Sequence, residues 1–296
     1  MNERKVQAVC CFLLCVALFP SLGARGQEPR PWRVSDLYQQ ESFGAVTVAP
    51  SGSSAISIRN WIDLQTKIPR HALWFSWGDP LQSMALEAKQ PDARNPVISP
   101  DGKWIAFLST RPRPSGWEQT PSAPVYSEPT VDIWLLPLIP ATYEEGEKGV
   151  AIPLAGPEKP YGRVYPDQNY GRLAFSPDGS QLLFVADDGD DPGSDVHRKM
   201  DVRIVHNDQV EGYEGFGPAE VWVSDLVNRP KDHAASRITR LTDDQFWYGQ
   251  PQWSPDGKHI AVYANRTAIQ ESVRYSFNQN YDIWEINVAT LSLIHI

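Results

Sequence analysis

A pattern of apolar and turn-forming residues recurs along the chain. An apolar run, the tetrapeptide Ser-Pro-Asp-Gly and a second apolar run occur together at 97–107, 173–185 and 251–263. A weaker copy, in which the bend is Ala-Pro-Ser-Gly, covers 46–58. Proline presets φ for a type I turn and glycine tolerates a positive φ at its end, so each copy predicts a β-hairpin.

A further apolar segment follows each hairpin and predicts a third strand. In three repeats this segment begins with an acidic residue, a β-branched residue and a tryptophan. These segments are 132–136, 220–224 and 282–286, and 71–75 is a degenerate version. Segments 150–154 and 236–242 predict a fourth strand in two of the repeats. Each repeat therefore predicts about four antiparallel strands, which make one blade of a β-propeller.

The second strands are apolar at consecutive positions, as in 105–108 and 182–185. A sheet with one exposed face would alternate apolar and polar residues, whereas a blade between two neighbours buries both faces. A β-sandwich is the alternative, but it does not require a repeated turn sequence. The sequence thus predicts an all-β fold: a β-propeller of four-stranded antiparallel blades, about four of them, in an incomplete ring. The recurring Trp134, Trp222 and Trp284 indicate packing rather than a ligand-stacking set.

The start of the chain differs from the repeats. A positively charged beginning, an apolar stretch at 9–22 and small residues at Ala24 and Gly26 predict a signal peptide over 1–26. An uncleaved anchor is the alternative, although the stretch is short for a membrane span. All three cysteines lie inside this segment, so the mature chain would have no disulfide and no cysteine metal ligand.

The remaining boundaries follow from the repeats. A lead-in with a short helix is predicted at 27–43. The blades are predicted at approximately 44–93, 94–156, 170–243 and 248–290. The apolar tail at 291–296 is interpreted as non-native or truncated, with a real short strand as the alternative. The chain would then end in the middle of its architecture.

The net charge and the lengths of the loops restrict the classes of function that the chain can have. The net charge of −9 argues against a general nucleic-acid-binding protein. The repeats are longer than the roughly 40–50 residues of a bare blade, and the excess lies in loops at 111–129, 187–207 and 265–280. Each loop connects the second strand of a blade to the third. All three should therefore emerge on one rim, where recognition residues commonly gather.

The loop at 187–207 holds the candidate recognition residues. They are Asp187, Asp188, Asp190, Asp191, His197, Arg198 and Arg203. The acidic run offers oxygen ligands for Ca²⁺, although EF-hand spacing is absent, and the basic run could bind a carboxylate. A solvated loop in which the two runs balance each other is the alternative.

The sequence contains no compact catalytic or cofactor-binding motif. G-x-S-x-G, H-E-x-x-H, a P-loop and the dinucleotide-binding glycine fingerprint are absent, and the six histidines are scattered. Glu144 and Glu145 could capture a substrate amino group, with an exposed turn as the alternative. We therefore expect no catalytic residue, no cofactor and no metal site in this chain.

Three stretches carry a family resemblance: 34–38, 238–244 followed by the hairpin at 253–257, and 264–267 followed by 282–284. They resemble the propeller of the prolyl oligopeptidase family of serine peptidases. The similarity is greatest to its secreted acylaminoacyl- and dipeptidyl-peptidase-like branches. TolB-like scaffold proteins also have Ser-Pro-Asp-Gly blades, so the repeat is specific for the propeller type and not for an enzyme.

The resemblance covers roughly 34–290 and implies a propeller that gates the access of short peptides to a secreted serine peptidase. In that family a C-terminal α/β-hydrolase domain holds the catalytic Ser, Asp and His. That domain is missing from this sequence, so none of the three can be assigned. The implied partners are a peptide substrate and the hydrolase domain, without nucleic acid and without a membrane span after signal cleavage. The implied location is secreted or periplasmic.

The alternative is a non-enzymatic, TolB-like periplasmic propeller that binds protein or envelope partners. A TolB-like protein places a separate α/β domain before its propeller. Here the first blade is predicted to begin near Phe43, shortly after the predicted cleavage site, which favours the peptidase hypothesis.

Overall fold

A computed structural model describes the chain in segments. The described residues are 31, 33–49, 51–86, 92–117, 131–138, 150–166, 171–188, 219–244, 246–264, 266 and 281–296. Two compact units are present, Met1–Gln40 and Glu41–Ile296. The first contains the helix α1 (Val34–Leu37), at whose start the Arg33 N–H donates to the Asp36 carboxylate over 2.8 Å. Among the described helices, none has the length and apolar character to cross a membrane.

The second unit contains four sheets of four strands each, and the strands of every sheet pair antiparallel in chain order. Sheet 1 consists of β1 (Ser42–Val48), β2 (Ser54–Ile62), β3 (Pro69–Trp77) and β4 (Gln82–Ala85). Sheet 2 consists of β5 (Arg94–Ile98), β6 (Trp104–Ser109), β7 (Asp132–Pro137) and β8 (Ile152–Pro153). Sheet 3 consists of β9 (Ala174–Phe175), β10 (Gln181–Ala186), β11 (Glu220–Asp225) and β12 (Arg237–Arg240). Sheet 4 consists of β13 (Tyr248–Trp253), β14 (His259–Ala264), β15 (Asp282–Asn287) and β16 (Leu293–His295). The predicted all-β architecture of four-stranded antiparallel blades is confirmed.

Local hydrogen bonds explain why Ser-Pro-Asp-Gly forms the bend between the first and second strands. The Ser99 hydroxyl donates to the Asp101 carboxylate over 2.6 Å and accepts the Trp104 N–H over 3.0 Å. Gly102 ends the bend with a φ of 69°, which glycine adopts without steric cost. The equivalent bonds recur in the other two copies, so all three predicted hairpins are present.

The hydrophobic cores lie between successive sheets. Sheets 1 and 2 enclose Ile56, Phe75, Phe107 and Leu136; sheets 2 and 3 enclose Leu108, Leu135, Phe184 and Leu182; sheets 3 and 4 enclose Leu183, Val223, Val262 and Ile286. Sheets 2 and 3 therefore bury both faces, which explains their continuous apolar strands. Trp134 and Trp222 are each 5% exposed within these cores, and Trp284 packs against the third, in agreement with the predicted packing role.

Sheets 1 and 4 each keep one face exposed. Val46 and Val48 of β1 are 60% and 59% exposed, and Ile283 of β15 is 58% exposed. Val221 of sheet 3 holds the position equivalent to Ile283 of sheet 4. In contrast to Ile283, Val221 is fully buried, because it packs against sheet 4. The apolar tail at 291–296 contains β16, which pairs with β15. A short strand at this place is the alternative that the sequence left open.

The first strands of the sheets, β1, β5, β9 and β13, lie next to one another in chain order along a common axis. Each second strand runs away from its bend toward the opposite end of its sheet. The loops at 111–129, 187–207 and 265–280 fall between second and third strands. The second strands therefore end, and the third strands begin, at the end of the axis opposite to the bends. We call this end the side of the long connections, after the chain segments that join those strands.

Candidate functional site

A cavity of about 600 Å³ lies on the axis, between the first strands of the four sheets. Each sheet contributes residues from equivalent positions, and these form three levels. The polar tier, nearest the long connections, consists of Ala45, Asn95, Arg172 and Gln250. The middle tier consists of Thr47, Val97, Ala174 and Gln252. The proline tier, at the bends, consists of Pro100, Pro177 and Pro255.

β-Bulges place residues of the polar tier at the cavity. The pairing of β5 with β6 shifts between Arg94 and Val97, where Asn95 has a φ of 48°. The pairing of β13 with β14 shifts in the same way, and Gln250 has a φ of 50°. A proline follows each of these residues and has no N–H to donate, so the ladder is interrupted there. Bulges of this kind re-aim side chains and recur next to functional sites.

The cavity lining combines one cation with amides and apolar rings. Arg172 is the one charged residue among the described residues of the lining. Asn95 is held in place because its Nδ2 donates to the Pro166 carbonyl over 2.9 Å. Trp253 forms part of the wall, and its indole N–H donates to the Ala174 carbonyl over 3.1 Å. No histidine lies among the described lining residues.

A buried ion pair lies at the start of the third strand of sheet 2. Asp132 and Arg113 have side chains that are each 10% exposed, and Nη1 of the arginine lies 2.6 Å from the carboxylate. The Tyr161 hydroxyl also donates to Asp132, over 3.0 Å. Nη2 of Arg113 donates to the carbonyls of Ala155 and Gly156 over 2.7 and 2.6 Å. The pair therefore ties the long connection of sheet 2 to the segment that leads to sheet 3.

Glu220 occupies the same position in sheet 3 and is fully buried. Its carboxylate accepts hydrogen bonds from Nη2 of Arg240 over 3.1 Å and from the hydroxyl of Thr242. Asp244 adds a backbone N–H at 3.3 Å. Burial raises the pKa of Glu220 to about 7, and the Thr242 hydrogen bond and the Arg240 charge oppose this rise.

The two described residues of the predicted recognition loop have structural partners. Asp187 is 3% exposed, and its carboxylate accepts the N–H of Arg163 over 2.7 Å. Asp188 lies 3.6 Å from Nη1 of Arg240 and so joins the Glu220 cluster. Asp190, Asp191, His197, Arg198 and Arg203 lie outside the described residues, as do Glu144 and Glu145. Among the described residues, no group of three or more His, Asp or Glu is placed to hold a metal ion.

The stability of the protein should fall as the pH rises from about 5 to 8 because of Glu220. Its folded pKa is raised from 4.5 to about 7, so its contribution is fully present below 4.5 and is lost as the pH rises through 7. The contribution is on the order of 3 kcal/mol. Urea unfolding of the wild type and Glu220→Gln at pH 5 and pH 8 measures it. Equal pH slopes in the two proteins would contradict the prediction, and Glu158→Gln, at an exposed position, is the matched control.

The chain matches no protein-family model and no curated protein. Its fold is similar to those of solved propeller proteins at low sequence identity. The acylaminoacyl peptidase of Pyrococcus horikoshii has a TM-score of 0.51 and 15% identity over 90% of this chain and 34% of the peptidase. An acylaminoacyl peptidase in complex with Z-Gly-Gly-Phe-chloromethyl ketone has a TM-score of 0.50 and 14% identity over 90% of this chain and 34% of that one. TolB from Acinetobacter baumannii has a TM-score of 0.47 and 14% identity over 86% of this chain and 43% of TolB.

The fold and its axial cavity define a β-propeller with four-stranded blades. This fold is similar to the part of the acylaminoacyl peptidases that the chain covers, in agreement with the resemblance of the repeats. The chain spans about a third of the length of these peptidases.

Proposed function

We propose that this chain is a substrate-gating propeller segment of a secreted serine peptidase that acts on short peptides. The observation that carries the proposal is the axial cavity, with its polar tier on the side of the long connections. A cavity of about 600 Å³ has room for a short extended peptide. The fold shared with acylaminoacyl peptidases supports the assignment to this class.

The chemistry of the proposed peptidase is acyl transfer to a serine nucleophile in an α/β-hydrolase domain outside this chain. The propeller contributes selection: a peptide must fit the axial passage before it meets the nucleophile. The predicted signal peptide at 1–26, which lies outside the described residues, would direct the protein to a secreted or periplasmic location.

The reading frame of the intact gene beyond Thr290 tests the proposal. We expect further blades, then G-x-S-x-G, then Asp and His in that order. The full-length protein should hydrolyse peptide p-nitroanilides, and replacement of the motif serine by alanine should abolish turnover. This chain alone should not hydrolyse these substrates.

Gating is tested with one cleavage sequence in two forms. The full-length protein should cleave it as a short peptide and spare it within a folded, exposed loop of a carrier domain. Cleavage of both forms at similar rates, or a gene that encodes no hydrolase domain, would exclude the proposal.

A further inference from the structure

We infer that the polar tier binds the C-terminal carboxylate of a peptide, with Arg172 as the charged anchor. The inference rests on the proposed function and deepens it, because it names the end group that the cavity selects. Arg172 lies in the segment that leads into β9, at the position that Asn95 and Gln250 occupy in their own sheets. It therefore places a guanidinium on the axis.

The charges around the cavity favour a ligand group that carries a single negative charge. Arg172 is exposed to the cavity and forms no ion pair among the described residues. No carboxylate is present among the described lining residues. Since a guanidinium donates two parallel N–H bonds to a carboxylate, one arginine satisfies one such group. The chain as a whole carries a net charge of −9, so this local positive charge is not a general property of its surface.

The remaining lining fits the peptide that precedes such a carboxylate. Thr47 and Gln252 lie one level below the polar tier. The Thr47 hydroxyl donates to the Pro96 carbonyl over 2.7 Å, so its oxygen can accept an N–H of the peptide, and Gln252 adds an amide. Below them, the three prolines and Trp253 offer apolar walls for side chains. A phosphate site would gather several cations or a helix N-terminus, and neither lies among the described lining residues.

The bulges set the height of the two amide members of the polar tier, Asn95 and Gln250, beside Arg172. In β5 and β13 the extra residue interrupts the ladder and turns one side chain toward the axis. Asn95 is fixed by its bond to the Pro166 carbonyl, across the gap between sheets 2 and 3. The tier is thus built into the backbone of two sheets, which limits the rearrangement needed when a ligand binds.

Titration of the purified chain with acetyl-trialanine tests the inference, with calorimetry and the total tryptophan fluorescence as readouts. The free acid should bind at least 10-fold more tightly than the same peptide with a C-terminal amide. Arg172→Met should remove this preference, and Arg172→Lys should retain part of it. Arg237→Met, which changes an exposed arginine of the outer strand β12, should leave binding unchanged.

Two further ligands distinguish a C-terminal carboxylate from a side-chain carboxylate and from a free one. Acetyl-Ala-Ala-Asp-amide carries its acid on a side chain, and free acetate carries no peptide. Weaker binding of both than of acetyl-trialanine acid supports recognition of the C-terminus. Equal binding of acid and amide, or an unchanged preference in Arg172→Met, overturns the inference. These outcomes concern this chain alone, so they are distinct from the presence or absence of peptidase activity in the full-length protein.

Discussion

Replacement of Phe184 by alanine should lower the free energy of unfolding by about 3–5 kcal/mol. Phe184 is fully buried between sheets 2 and 3, and its ring lies edge-on to that of Tyr161 at a centroid distance of 4.8 Å. Its removal leaves a cavity that the two sheets cannot fill without moving apart. In a repeat architecture, stability depends on the interfaces between neighbouring units, so the loss falls on the central interface of the four sheets.

Urea unfolding followed by tryptophan fluorescence measures this effect, and Phe43→Ala is the matched control. Phe43 lies in β1 and is 73% exposed, so the same change of residue there should cost less than about 1 kcal/mol. Similar losses in the two variants would show that sheets 2 and 3 are not held together by this core. A midpoint shift for Phe184→Ala that exceeds the control by several-fold is the expected result.

Replacement of Arg113 by methionine should destabilise the protein by about 3 kcal/mol, because the buried carboxylate of Asp132 would lose the guanidinium that pairs with it and keep only an electrostatic interaction with Lys159. The hydroxyl of Tyr161 is its remaining side-chain donor among the described residues, and a neutral donor does not replace a guanidinium. The carbonyls of Ala155 and Gly156 would also lose their donor. Methionine has a similar length, so lost packing contributes little.

The control for this variant is a surface ion pair of the same charges. Lys103 and Asp101 lie 3.2 Å apart, with side chains that are 72% and 44% exposed, so Lys103→Met should change stability by about 0–1 kcal/mol. The double variant Arg113→Met/Asp132→Asn removes both charges and should recover part of the loss. If the double variant is as unstable as the sum of its parts, the two residues are not coupled and the buried pair does not explain the effect.

The repeat determined how much of the fold could be predicted. The Ser-Pro-Asp-Gly bends and the tryptophans of the third strands gave the hairpins, the blades and the position of the long connections. The outer strands β4 and β16 were missed or left open because they are short and exposed on the outside of their sheets. Strands of this kind carry little apolar signal, and their pairing depends on the neighbouring strand.

The site was harder to predict for two physical reasons. The partners of the acidic residues that begin β7 and β11 lie elsewhere in the sequence: Arg113 precedes Asp132 across a long loop, and Arg240 follows Glu220 on another strand. The available signal was the acidic residue itself, placed at the start of a strand that is otherwise apolar and buried. The residue types of the polar tier differ from sheet to sheet, so a search for repeated residues does not detect it. Its sequence signal is positional: Asn95 and Gln250 lie four residues before the serine of the bend, and a proline follows each of them.

The layered cavity has an evolutionary consequence. Each sheet supplies one side chain to the polar tier and one to the middle tier from equivalent backbone positions, and three sheets supply the proline tier. The packing that stabilises the fold lies farther from the axis, in the cores between sheets. A point mutation near the axis can therefore change charge or size at a single level without disturbing the scaffold. Descendants of one such gene could acquire different ligand preferences by few substitutions, while insertions and deletions remain confined to the loops at the far end.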